Sequence, residues 1–134
     1  MIARYKRPDA KNAQSIIESA KRDMDFTLSS IPIKEEAGTT IIRNIYESFR
    51  MLGDALLTVQ GVEGDHILQI DELLKLQVKT SRPIQLISNL RQLRHNMNYY
   101  GYKPNLVEVR DVISLAESCF EPLYKEVKKK IISS

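Results

Sequence analysis

The sequence predicts an all-α protein, an antiparallel bundle of about five helices. Proline and glycine divide the chain into blocks, and within each block apolar residues recur at steps of three and four residues. Few stretches show the strict alternation or the valine, isoleucine and threonine enrichment that is typical of strands. The connections between blocks are short and turn-like, which favours antiparallel neighbours.

The first helix is predicted to follow Pro8, with Asp9 as its N-cap, and to end near Ser29. The segment Ile31-Pro32-Ile33 cannot continue it, because proline lacks the backbone N–H and disfavours helical geometry in the residue before it. The second helix is predicted to run from near Glu35 to Gly61, and it has the strongest apolar periodicity in the chain.

Charged residues of mostly opposite sign lie three and four residues apart on that second helix, which indicates a solvated or partner-facing side. These residues are Arg43, Glu47, Arg50 and Asp54. A third helix is predicted from about Asp65 to Val78, with His66 in its first turn. A fourth is predicted from about Pro83 to Gly101, because proline suits a first turn and glycine ends a helix.

The fifth helix is predicted to begin after Asn105, with Glu108 at the capping-box position, and to reach the C-terminus. We expect Cys119, on its apolar stripe, to lie in the core. Four lysines near its end suit a helix C-terminus, and we expect a solvated end there, with RNA contact as the lesser alternative. They are Lys125, Lys128, Lys129 and Lys130.

Composition agrees with one globular domain spanning residues 1–134. The chain is 43% hydrophobic and 28% charged, close to the average for soluble proteins. No apolar run approaches the ~20 residues that span a bilayer, and the start lacks the apolar stretch of a signal peptide. We therefore expect a soluble, cytoplasmic protein with no membrane partner, and a single cysteine agrees with a reducing compartment. The net charge of +3 favours anionic partners only weakly.

Function is expected in the stretch 90–102, LRQLRHNMNYYGY, which holds two arginines, one of two histidines and three of six tyrosines. At about 100° per residue, Arg94 lies at the edge of the apolar stripe. Asn98, Arg91 and His95 follow it round the shoulder of the helix. An arginine at such a border loses hydration and is held by a carboxylate, a phosphate or a partner chain. These four polar groups are expected to converge beside the core.

The segment from Leu93 to Gly101, LRHNMNYYG, ends a helix in a small bundle and resembles the HEPN superfamily (higher eukaryotes and prokaryotes nucleotide-binding). The segment RNIYESFRMLGDALL, with His66 shortly after it, is also similar to the second helix of such proteins. The resemblance covers residues 10–130. It implies a homodimer and, as in many members, a metal-independent ribonuclease. Many prokaryotic members pair with a minimal nucleotidyltransferase in toxin–antitoxin-type systems.

The family's active-site motif is an arginine followed after about four to six residues by a histidine, and this chain departs from it. Tyr99 stands five positions after Arg94, and no histidine lies at the required spacing from Arg91 or Arg94. His95 follows Arg94 directly. The departure favours an alternative function, a non-catalytic HEPN-like interaction module that partners a minimal nucleotidyltransferase.

Metal-free RNA cleavage needs a base, an acid and a cation for the developing phosphorane charge. Arg94 and Arg91 are the candidate cations, and His95 is the candidate acid and base, since an unperturbed imidazole titrates near pH ~6.5. Asn98 is the candidate for positioning a phosphate or ribose. Arginine contacts phosphates and tyrosine stacks on bases. The candidate nucleic-acid-binding residues are Arg91, Tyr99, Tyr100 and Tyr102.

Structural roles are the competing interpretation of these residues. Arg91 and Arg94 would then pair with carboxylates on a neighbouring helix. His95 would be a solvated surface residue, and the tyrosines would cover the open end of the bundle with their rings buried. Two histidines and one cysteine far apart in sequence have no metal-ligand spacing, and there is no glycine-rich phosphate loop. We therefore expect no metal and no cofactor. DNA binding through the basic surface is a weaker third possibility.

Overall fold

The helix α2 (Gly38–Gln60) is the centre of a five-helix bundle in the computed structural model, which describes residues 3–134. The other helices are α1 (Ala10–Ser30), α3 (His66–Leu74), α4 (Ile87–Tyr100) and α5 (Leu106–Ile132). All four pack against α2. The predicted all-α bundle is confirmed. The largest fully buried side chains include Tyr46, Phe49, Ile17, Met24, Leu52, Ile70 and Leu123.

Local sequence signals set most helix ends where they were predicted. The side chain of Asp9 accepts a hydrogen bond from a first-turn amide of α1, and Asn105 and Glu108 form the expected capping box at α5. Gly61 ends α2 at φ 76°, and Gly101 ends α4 at φ 65°. Both glycines adopt the left-handed conformation that other residues rarely tolerate, so each stops its helix.

The two short helices of the bundle's middle begin and end differently from the prediction. α3 ends at Leu74, and the expected continuation to Val78 is wrong. From Leu74 onward, half-buried and exposed residues alternate up to Thr80, so Leu76 and Val78 cover the core from an extended segment. A 3₁₀ turn, Ile84–Leu86, precedes α4.

Two three-residue strands, which the sequence did not predict, pair antiparallel beside the α2–α3 turn. β1 (Ala3–Tyr5) lies against β2 (Val62–Gly64), with Ala3 opposite Gly64. Lys6 then donates its amide to the carbonyl of Gly61 at 2.8 Å. Strands this short are too brief to show an alternating pattern, which explains why they were missed.

The helix α3 packs so closely on α2 that only glycine fits at the contact. A Cβ atom on Gly53 would overlap the backbone of Gln69. The Gln69 side chain donates in turn to the carbonyl of Gly64 at 3.1 Å. This contact fixes where the first residue of α3, His66, lies relative to α2 and α4.

The connection between α3 and α4 is held on α5 by Arg82. The Arg82 amide donates to the Ser118 hydroxyl at 2.8 Å, and its guanidinium forms an ion pair with Asp111 at 3.0 Å. Cys119, buried as expected, donates its Sγ–H to the carbonyl of Arg82 at 3.4 Å. Burial raises the pKa of this thiol above its ordinary value.

Candidate functional site

The two arginines of α4 are half-buried where α4 meets α2. The guanidinium carbon of Arg94 lies 5.3 Å from the ring centroid of Tyr46, which is a cation–π contact. The Tyr46 ring is completely buried, and its hydroxyl has no hydrogen-bond partner in the described part of the chain. The same is true of the Nη1 atom of Arg91, which is closed to solvent. This junction therefore holds polar groups that the described residues leave unsatisfied.

The guanidinium groups of Arg91 and Arg94 are not paired with carboxylates. Within residues 3–134, neither Arg91 nor Arg94 forms an ion pair with an aspartate or a glutamate. The structural alternative, in which a neighbouring helix supplies that carboxylate, is thus not observed. A half-buried guanidinium without a counter-charge is costly to desolvate, so the arrangement favours an external anion.

Arg50, on α2 at the same junction, is fully engaged. Its Nε and Nη2 atoms donate to the two carboxylate oxygens of Glu47 at 2.9 and 2.5 Å, and Nη1 donates to the Gln69 side chain at 2.6 Å. These charge-assisted bonds hold the pKa of Glu47 below its ordinary value and raise that of Arg50. Arg50 is therefore a structural residue that joins α2 to α3.

His66 belongs to this cluster although it is far from Arg94 in sequence. Its imidazole ring centroid lies 6.3 Å from that of Tyr46. Partial burial, followed by the charges of Arg50 and Arg94, lowers the pKa of His66 below its ordinary value. The predicted first-turn position is confirmed, but sequence reasoning did not associate this histidine with the arginines. The one available signal was its place directly after the α2–α3 turn.

His95 lies apart from the guanidinium groups, on the outer surface of α4. Its ring is 4.7 Å from that of Tyr99 and 5.7 Å from that of Tyr100, measured between centroids. Tyr99 and Tyr100 are 72% and 76% exposed, so the alternative in which their rings are buried at the end of the bundle is wrong. These three side chains form an exposed aromatic patch.

The remaining site candidates are held by neighbouring helices. The side-chain oxygen of Asn98 accepts a hydrogen bond from Nε of Arg43 on α2 at 2.9 Å. Tyr102 donates its hydroxyl to Glu108 in the α5 capping box, and this bond raises the pKa of the phenol. The predicted convergence of four polar groups is therefore partial. Arg91 and Arg94 share the α2 junction, while Asn98 and His95 face outward.

Other site types have no counterpart in the part of the chain that the structure describes. No three histidine, cysteine, aspartate or glutamate side chains are grouped there so that they could hold a metal ion. No helix among these residues is long and apolar enough to cross a membrane. Comparisons with models of protein families, with curated proteins and with solved structures returned no match. The functional conclusion therefore depends on the geometry and on the residues themselves.

Proposed function

We propose that this chain is a HEPN-like homodimer that binds RNA or a nucleotide through Arg91 and Arg94. The observation that carries the proposal is the pair of half-buried guanidinium groups, neither of which forms an ion pair with a carboxylate of residues 3–134. Guanidinium groups bind phosphate oxygens through two parallel hydrogen bonds, so a phosphate matches both the charge and the donors. Binding would require these long side chains to rotate so that their donors point outward.

The surroundings of the arginines suit a nucleic-acid ligand. Because Arg43 occupies the oxygen of Asn98, the amide nitrogen of Asn98 is left to donate to a phosphate or a ribose. The exposed rings of Tyr99 and Tyr100 offer faces on which bases stack. In a two-fold symmetric dimer, both copies of these groups would line one cleft.

The candidate activity is metal-independent ribonuclease cleavage. The 2′-oxygen of RNA attacks the adjacent phosphorus and loses its proton to a base, while the 5′-oxygen leaves and takes a proton from an acid. The products are a 2′,3′-cyclic phosphate and a 5′-hydroxyl. Arg94 would stabilise the charge on the phosphorane oxygens, and Asn98 would position the phosphate. His95, the candidate for proton transfer in the sequence, lies on the outer surface of α4, apart from Arg94.

The proposal is tested by fluorescence anisotropy with labelled mixed-sequence single-stranded RNA in EDTA. Losing a charge-assisted contact costs about 1.5–3 kcal/mol, so Arg94→Gln and Arg91→Gln should each weaken binding about tenfold or more. Arg110→Gln, an exposed arginine on α5, is the matched control and should bind within about twofold of wild type. If wild type does not bind, or if Arg94→Gln binds equally well, the proposal is rejected.

Cleavage is followed in the same EDTA samples by gel electrophoresis of the RNA. An active enzyme produces cyclic-phosphate ends that Arg94→Gln does not produce. Binding without cleavage would leave the binding function intact and remove the ribonuclease activity.

The second candidate function is a non-catalytic interaction module that partners a minimal nucleotidyltransferase. The exposed patch of Tyr99, Tyr100 and His95 favours it, since exposed aromatic rings are enriched at protein interfaces. In that case Tyr99→Ala combined with Tyr100→Ala would lower the sedimentation coefficient by breaking the dimer, or abolish capture of a purified nucleotidyltransferase. Unchanged sedimentation together with unchanged capture would exclude this module.

A further inference from the structure

His66 is the imidazole that the bundle brings towards the unpaired arginines. We propose that His66, with Arg94 and Arg91, forms a site for one phosphate group, and that His66 rather than His95 takes up a proton when the phosphate binds. This inference rests on the proposed function, because it assigns a further residue to the same site. The phosphate is either an internal diester of RNA or a terminal monoester of a nucleotide.

The geometry depends on Tyr46, which both groups contact. The Arg94 guanidinium carbon lies 5.3 Å from the Tyr46 ring centroid, and the His66 ring centroid lies 6.3 Å from it. Tyr46 is fully buried, so the ring is a fixed wall between α3 and α4. Arg94 and Arg91 both act electrostatically on the Tyr46 hydroxyl, which has no partner in the described residues. Two guanidinium groups and one imidazole therefore surround a single buried phenol.

The charges around His66 come from three elements. From α2, Arg50 disfavours protonation more strongly than Glu47, its hydrogen-bond partner, favours it. From α4, Arg94 disfavours protonation, and within its own turn Asp65 favours it. Arg94 is the cation whose charge no ion pair within residues 3–134 reduces. A phosphate bound to Arg94 would offset the unfavourable charge of Arg94 at His66.

Proton uptake couples phosphate binding to pH. In the free protein, partial burial and the charges of Arg50 and Arg94 keep the pKa of His66 below its ordinary value, so the ring is neutral near pH ~7. A bound phosphate would raise that pKa. The resulting gain in affinity is complete below the pKa of the free protein and is lost as the pH rises through the pKa of the complex.

His95 does not have this environment. Its ring is exposed and lies against the rings of Tyr99 and Tyr100. The histidine beside Arg94 in sequence thus packs on the exposed tyrosines, whereas the distant one lies close enough to Arg94 for that charge to lower its pKa. A single ligand titration can therefore distinguish a role of His66 from a role of His95.

The experiment is an NMR titration of the two imidazole Cε1–H signals, since the chain has only two histidines. His66→Gln and His95→Gln assign the signals. The probes are uridine 5′-monophosphate and a short oligouridine without terminal phosphates, with sodium chloride at equal ionic strength as the control. At saturation, the titration midpoint of His66 should rise by about one pH unit, and no comparable rise is expected for His95. The probe that produces the shift identifies the phosphate as monoester or diester.

Variants at position 66 provide the second readout. His66→Gln should weaken binding several-fold at about pH 6 and little at about pH 8, because only the protonated ring contributes. His66→Lys, which keeps a positive charge, should bind tightly at both values and lose the pH dependence. Arg110→Gln, the exposed control on α5, should keep the wild-type pH profile. His66 is only partly buried and keeps much of its side chain in solvent, so these substitutions should leave the bundle folded.

Failure of the inference differs from failure of the proposed function. Binding that depends on Arg94 but shifts only His95, or neither histidine, would overturn the role of His66 and leave the arginine site standing. Absence of binding to wild type with every probe would reject the arginine site, and the role of His66 with it.

Discussion

Arg50 and Arg94 act on the same buried tyrosine, yet their guanidinium groups are used in opposite ways. Arg50 donates hydrogen bonds to Glu47 and Gln69, and these bonds join α2 to α3. Arg94 lies over the Tyr46 ring and forms no ion pair within residues 3–134. Both are arginines at the border of an apolar stripe, so residue type does not distinguish them. The partners of the donors do, and they separate a structural arginine from a candidate ligand-binding one.

The largest loss of stability is expected at the close contact between Gly53 and Gln69, which positions α3 on α2. Gly53→Ala places a methyl group in the backbone of Gln69, which would displace α3, and with it both Gln69 and His66. The free energy of unfolding should fall by about 3 kcal/mol or more. Urea denaturation followed by circular dichroism measures it.

Gly101→Ala is the control for that substitution. Its φ of 65° also disfavours alanine, but a Cβ there meets no atom within 4 Å. Only the conformational cost of about 1 kcal/mol should appear. If Gly53→Ala and Gly101→Ala lowered the free energy of unfolding equally, the close packing of α3 on α2 would be contradicted.

Replacing each arginine by glutamine in turn compares what Arg50 and Arg94 contribute to the free energy of unfolding. Arg50→Gln leaves Glu47 and Gln69 without their partner and should lower the free energy of unfolding by about 2 kcal/mol. Arg94→Gln removes a cation–π contact and should cost less than about 1 kcal/mol. Chemical denaturation at one pH measures both. If Arg94→Gln costs as much as Arg50→Gln, Arg94 is a structural residue as well.

At acidic pH, the free energies of unfolding of wild type and Arg50→Gln should become more similar. Arg50 holds the pKa of Glu47 below its ordinary value, so the folded state binds fewer protons than the unfolded state in that range. The stabilisation is present above the unfolded pKa of about 4.5 and is lost as the pH falls through the folded value. Denaturation curves of both proteins from neutral to acidic pH measure the difference. A difference independent of pH would show that the ion pair does not stabilise the fold.

The smallest effect on stability is expected at the aromatic patch. Tyr99→Ser and Tyr100→Ser remove side chains that are 72% and 76% exposed, so each should change the free energy of unfolding by at most about 0.5 kcal/mol. Tyr102→Phe, which breaks a hydrogen bond to the α5 capping box, should be destabilising. Thermal unfolding compares the three. A large loss at Tyr99 would mean that the ring supports the bundle.

Much of the fold could be predicted because its determinants are local. Asp9 and Asn105 cap helices through amides three residues away, and Gly61 and Gly101 end them by their own backbone conformation. The end of α3 could not be predicted, because the apolar residues after Leu74 fit a helix as well as an extended segment. The strand pairing joins segments far apart in the chain, so no local pattern encodes it.

The site was predictable only as far as one helix determines it. Helical spacing placed Arg94 correctly at the edge of the apolar stripe, and it also placed His95 on the outer shoulder. The approach of His66 to Arg94 follows from the packing of α3 on α2 at Gly53, which is a tertiary contact. The histidine whose pKa Arg94 helps to lower is thus the one that is distant in sequence.

The buried thiol of Cys119 gives the unmodified chain a kinetic reporter. Reagents that alkylate or exchange with thiols attack the solvent-exposed thiolate, and burial here both hides the sulfur and raises its pKa. The Sγ–H also bonds to the carbonyl of Arg82, where the segment 75–83 rests on α5. The labelling rate therefore measures how often that segment lifts from the bundle. Comparing this rate with the rate of global unfolding would show whether the loop opens alone or with the whole molecule.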